Sequence, residues 1–107
     1  MDRSKVWKWG RRGPNISTGM CRIVHYSGTV QGVGFRFTAR GLAQRHAVSG
    51  YVRNLEDGRV EVAAAGEEKD VLAYLSELRE SMADYIADEQ GTWTTCPDDF
   101  VTFDIRF

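Results

Sequence analysis

The stretch CRIVHYSGTVQGVGFRFTARGLAQRHAVSGYVRNLEDGRVEVAAA, residues 21–65, changes its periodicity twice and decides the fold. Its opening, Cys21 to Val30, is rich in β-formers and ends in a glycine-rich turn, which predicts a strand. Gln31-Gly32-Val33-Gly34 cannot extend that strand comfortably, because glycine weakens strand interiors and favours tight loops. Phe35, Ala39, Leu42, Ala43 and His46 then recur at i, i+4, i+7, i+8 and i+11, one face of a helix. Gly41 inside that helix costs about 1 kcal/mol relative to Ala; close packing against another backbone would account for it. Gly50 to Leu55 predicts a second strand, and Asp57-Gly58 is a strong hairpin signal. Val60, Val62 and Ala64 alternate with Arg59, Glu61 and Ala63 in a third strand.

Downstream, Glu67, Glu68 and Asp70 sit where acids complement a helix dipole, so they read as a solvated helix start. Val71, Tyr74, Leu75 and Leu78 supply the buried stripe of that helix. After Ser81 the pattern weakens, and a fourth strand falls between Glu89 and Thr95. Val101, Phe103, Ile105 and Phe107 alternate in a last one. Tyr74 and the phenylalanines are expected in the core or on the sheet face. The order β-α-β-β-α-β plus an extra C-terminal strand predicts a split βαβ, the α+β ferredoxin-like sandwich. Its antiparallel sheet would have the order 4-1-3-2, with both helices on one face. Strands 1 and 2 then run parallel with strand 3 between them, so both finish at the same edge.

The 107 residues hold one small domain, and 42% hydrophobic with 27% charged residues is an ordinary globular composition. Fourteen Lys/Arg against fifteen Asp/Glu exclude binding to nucleic acid through bulk charge. No run approaches the 18 apolar residues of a membrane span, and no apolar segment follows the N-terminal basic residues; a cytoplasmic protein without membrane partners is expected. The charge is unevenly spread. Residues 1–19 carry Arg3, Lys5, Lys8, Arg11 and Arg12 against Asp2. Residues 20–60 hold six arginines and two acids, while 61–107 hold three basic residues and twelve acids. An anion site therefore belongs in the first half.

Residues 1–19 lack apolar periodicity and read as a flexible basic extension before a domain at 20–107. With Trp7 and Trp9 they would also suit an arm that touches RNA or an acidic surface. Two cysteines make no disulfide framework and no four-ligand zinc site. If strand 4 lies beside strand 1, Cys21 and Cys96 come close enough to bridge, whereas a reducing cytoplasm favours two free thiols. His25 and His46, with no acidic ligand pattern nearby, read as structural, and neither a metal nor a cofactor is expected.

The loop from Ser27 to Arg36 opens directly into a helix. Its three glycines let successive N–H groups point inward, which makes an anion nest at a positive helix end. Arg36 adds a planar charged fork that matches phosphate. The loop lacks the Lys-Ser/Thr of a nucleotide P-loop, and glycines before a helix are often simply a turn. Asn54, at the end of strand 2, is by itself an ordinary turn residue.

Taken together, TVQGVGFR at 29–36 and SGYVRNLEDGRVEV at 49–62 resemble the acylphosphatase family. The likeness continues through AAAGEEKDVLAYLSELRE and the closing FDIRF, over about 88 residues. It implies that Arg36 binds phosphate, that Asn54 orients the attacking water, and that Gln31, Gly32, Val33, Gly34 and Phe35 form a cradle of backbone amides. Tyr51 stands where a tryptophan is frequent in the family, the stretch 81–99 matches poorly, and residues 1–19 have no counterpart. The implied activity is metal-independent hydrolysis of small acyl phosphates to a carboxylate and inorganic phosphate, by a monomer. The rival class is a binding module. The same fold serves regulatory and RNA-binding domains, and acylphosphatase-like domains occur in larger maturation proteins that handle carbamoyl phosphate. Strands 1 and 3 lack the aromatic residues of an RNA-binding sheet, which argues against nucleic acid.

Overall fold

The computed structural model describes residues 20–107, and the expected extension over 1–19 lies outside them. The elements are β1 (Met20–Gly28), α1 (Phe35–Ala43), β2 (Ser49–Asn54), β3 (Val60–Ala65), α2 (Glu68–Ser81), β4 (Ile86–Thr95) and β5 (Phe103–Arg106). They form one five-stranded sheet of order β4-β1-β3-β2-β5. The inner pairings β4-β1, β1-β3 and β3-β2 are antiparallel, as the split βαβ requires. β5 instead pairs parallel to β2, with Gly50 opposite Phe103 and Arg53 opposite Arg106. The expected antiparallel sheet is thus extended into a mixed one. The crossing from β4 at one edge to β5 at the other delivers the last strand in β2's direction.

The alternation along the central strands sorts their side chains to two faces. Val24, Tyr26, Val52, Val60, Val62 and Ala64 are buried in one core with Phe35, Ala39 and Leu42 of α1 and Val71, Tyr74 and Leu78 of α2. Each fully buried side chain of this kind contributes about 1.5–3 kcal/mol. Tyr74 is wholly buried, and its hydroxyl donates to the Ala39 carbonyl at 2.8 Å, joining the two helices without an unsatisfied polar atom.

Several local expectations are corrected. β1 ends at Gly28, not Val30, because the chain bends there and Thr29 N–H donates to Tyr85 O. β4 begins three residues earlier than its weak pattern suggested; ten residues, mostly exposed, leave no hydrophobic alternation to read. In the last strand only Phe103 is buried, while Val101 and Phe107 are exposed. The close-packing account of Gly41 fails, since a Cβ there would meet nothing within 4 Å. Cys21 and Cys96 are not free thiols. They are bridged, with Cα atoms 4.9 Å apart, because Met20 pairs with Thr95 and brings the start of β1 to the end of β4. Among the described residues, no helix is long and apolar enough to cross a membrane.

Candidate active site

β1 and β2 each run antiparallel to β3, so the loop after β1 and Asn54 at the end of β2 meet at one edge of the sheet. The loop turns at Gly32 (φ 78°) and Gly34 (φ 80°), both in the left-handed region. A Cβ at either would meet nothing within 4 Å, so backbone conformation rather than space selects glycine. Gly34 caps α1 with no side-chain hydrogen bond, and the first bond across it runs from Thr38 N–H to Gly34 O. Among the described residues, no backbone carbonyl accepts from the amides of residues 30–34. These donors, at the positive end of a helix, make a concavity suited to an anion.

The concavity is a pocket of about 210 Å³ lined by Val30, Gly32, Gly34, Phe35, Arg36, Phe37 and Asn54. Five of the residues expected from the sequence are therefore together: Gly32, Gly34, Phe35, Arg36 and Asn54. The side chains of the other two, whose expected contribution is the backbone amide, point elsewhere. Val33 packs against the core. Gln31 directs its side chain to the β2–β3 hairpin, donating from Nε2 to Leu55 O at 2.8 Å and Arg59 O at 2.9 Å. The pocket also holds two residues that the sequence reading passed over. The sequence places Val30 at the end of the first strand. Phe37, which the sequence places in the core or on the sheet face, is 67% exposed. A signal existed, because Phe37 stands off the Phe35–Ala39–Leu42 stripe and so puts an aromatic ring on the polar face of α1. Phe107, likewise expected on the sheet face, is fully exposed and places its ring centroid 4.9 Å from the Arg36 guanidinium carbon.

The face of the sheet away from the helices supports the end of β2. His25, Glu61, Arg53 and Arg106 stand in one row across β1, β3, β2 and β5. Glu61 accepts from Arg53 Nε at 2.7 Å and from Tyr51 Oη at 2.8 Å, and His25 Nε2 lies 2.8 Å from it. Burial pushes the Glu61 carboxyl up, but hydrogen bonds with His25, Tyr51 and Arg53 outweigh it and hold the carboxyl below its usual range. The Tyr51 hydroxyl is pushed up to about 12 by burial and by its bond to Glu61. His46 is held in the same way, 2.7 Å from Glu77 on α2. Both histidines thus sit against single carboxylates. Among the described residues, no three His, Cys, Asp or Glu side chains converge as metal ligands would.

A model of the acylphosphatase family fits residues 22–105. An acylphosphatase of Legionella pneumophila (strain Lens) is 38% identical over 90 residues, spanning 80% of this chain and 94% of its own. The crystal structure of acylphosphatase from Bacillus subtilis superposes with a TM-score of 0.72 at 26% identity, over 82% of this chain and 99% of that one. HypF from T. kodakarensis superposes with a TM-score of 0.73 at 27% identity, over 82% of this chain but 12% of that one. Because the family's pattern runs from Arg22 to Ile105, through the glycine loop, the hairpin, both helices and into β5, this chain belongs to the acylphosphatase family.

Proposed function

We propose that this protein hydrolyses the carboxyl–phosphate bond of small acyl phosphates, releasing a carboxylate and inorganic phosphate, by metal-independent in-line attack of water. The observation that carries this reading is the single pocket shared by Arg36, the glycine loop and Asn54. An acyl phosphate is a mixed anhydride whose leaving carboxylate has a pKa of about 4, so it departs without a general acid. The phosphoryl transition state is loose, and catalysis rests on positioning and charge stabilisation. Arg36 and the loop amides hold the equatorial oxygens. Asn54, across the pocket, orients water for attack opposite the leaving carboxylate. An arginine in such a role is worth about 10³–10⁵ in rate. Water adds to phosphorus as the P–O bond to the acyl group breaks, and a water proton is lost to solvent.

In this reading residues 20–107 are the catalytic unit, active as a cytoplasmic monomer without nucleic-acid or membrane partners. The rival reading of the sequence makes carbamoyl phosphate a second substrate to try. The test is phosphate release from benzoyl phosphate and from carbamoyl phosphate, with and without excess EDTA. Turnover unaffected by EDTA and inhibited competitively by phosphate supports the reading. No release from either substrate refutes it, and loss on chelation restored by one divalent ion refutes the metal-free mechanism.

A further inference from the structure

Gln31 stands in the loop but outside the pocket, and its side chain makes two contacts that the chemistry above leaves unused. Nε2 donates to Leu55 O at 2.8 Å and to Arg59 O at 2.9 Å, across 24 and 28 residues of chain. Both acceptors are carbonyls, so the atom facing them is the amide nitrogen, and its two hydrogens serve one carbonyl each. The carbonyls close the mouth of the β2–β3 hairpin. Leu55 N–H donates to Arg59 O at 2.8 Å, and Gly58 N–H to Leu55 O at 3.2 Å. Leu55 directly follows Asn54.

The loop has a second anchor, and it lies on the other side. Thr29 N–H donates to Tyr85 O, just before β4, at the edge of the sheet opposite β2 and β5. Among the described residues, the Gln31 amide is therefore the hydrogen-bonded link between the phosphate loop and the strand end that carries Asn54. β1 and β2 are not neighbours in the sheet, since β3 separates them, so no ladder fixes the loop against Asn54.

We infer that Gln31 is a positioning residue, whose side chain sets the distance between the phosphate held by the loop and the water held by Asn54. This rests on the hydrolytic reading above. In-line attack is sensitive to such a distance, and a misplacement of about 1 Å can cost about 100-fold in rate. The loop amides and Arg36 belong to one continuous segment, so phosphate binding survives loss of the link while its alignment with water does not.

The test uses the full chain with Gln31→Met, which keeps the length and removes the donors, and with Gln31→Glu, which keeps the shape and sets oxygens against carbonyls. Thermal unfolding monitors folding. Each variant is expected to lose about 10- to 100-fold in kcat on benzoyl phosphate while the inhibition constant of inorganic phosphate stays within about three-fold. In an Asn54→Ala background Gln31→Met should cost less than about two-fold more, because the residue it positions is gone. Unchanged kcat in a folded variant, a proportional loss of phosphate affinity, or full additivity with Asn54→Ala overturns the assignment. So does failure of both variants to fold, which would make Gln31 a folding requirement. If the parent itself releases no phosphate, the hydrolytic reading fails instead. The link is then read by amide hydrogen exchange at residues 32–34, expected to speed up in Gln31→Met; unchanged exchange overturns it.

Discussion

The guanidinium carbon of Arg36 lies 4.9 Å from the ring centroid of Phe107, so β5 delivers an aromatic ring to the cation that heads α1. β5 reaches this end because it runs parallel to β2, whose own end carries Asn54. The ring restricts the arginine from one side, as cation–π contacts do.

Two substitutions separate the cation from its support. Arg36→Ala should lose at least about 100-fold in turnover, and Arg36→Lys should recover little, since a point charge does not replace a bidentate fork. Phe107→Ala removes an exposed contact of about 0.5–1 kcal/mol, a two- to five-fold weakening of phosphate inhibition. Turnover of benzoyl phosphate measures the first, and competitive inhibition by phosphate the second. Near-parental turnover in Arg36→Ala would remove Arg36 from the site.

The Cys21–Cys96 bridge closes a separation of 75 residues and lies at the start of β1, about 20 Å of strand from the loop. Closing so long a loop stabilises by about 2–4 kcal/mol. Cys21→Ser with Cys96→Ser should therefore lower the midpoint of thermal unfolding yet leave kcat within a few-fold. A folded double variant without turnover would contradict a mechanism that needs no nucleophilic side chain. Thiol alkylation in native lysate, before and after reduction, reports whether a reducing compartment opens the bridge.

Glu61 makes stability depend on acid. Its folded-state pKa is depressed below the ordinary 4.5, so its ionised form contributes stability that is complete above that value and lost as pH falls through the lower one. Glu61→Gln cannot accept from His25, Tyr51 and Arg53 together, and should be less stable than the parent at pH 7. The gap should narrow below about pH 4.5 as the parent loses its charge. Urea midpoints from pH 7 to pH 3 measure it, and a constant gap would show that ionisation of Glu61 contributes nothing.

Gly41 offers the opposite sign. It lies inside α1 without positive φ, and a Cβ there has open space around it. Gly41→Ala should stabilise by up to about 1 kcal/mol through helix propensity and lower entropy of the unfolded chain. A lower unfolding midpoint in the alanine variant would mean that a contact requires glycine there.

By itself the sequence determined both helices and the order of β1 to β4, because period-2 and period-3.6 patterns mark β1, α1, β2, β3 and α2, and their succession is that of a split βαβ. It also determined the candidate pair: Arg36 and Asn54 follow from motif residues and from a topology that sends β1 and β2 to the same edge. Only the tertiary structure decided the direction of β5, since alternation in Phe103–Arg106 says nothing about which way a strand enters a sheet. The bridge, the row around Glu61 and the Gln31 link likewise depended on cross-strand register or loop geometry. Each joins residues 8 to 75 positions apart, and no local pattern in either partner encodes the other. The surroundings of Phe37, in the pocket lining, and of Phe107, beside Arg36, are hidden from the sequence for a related reason. Aromatic residues suit a core and a pocket rim equally well, and what stands beside them in space tells the two apart.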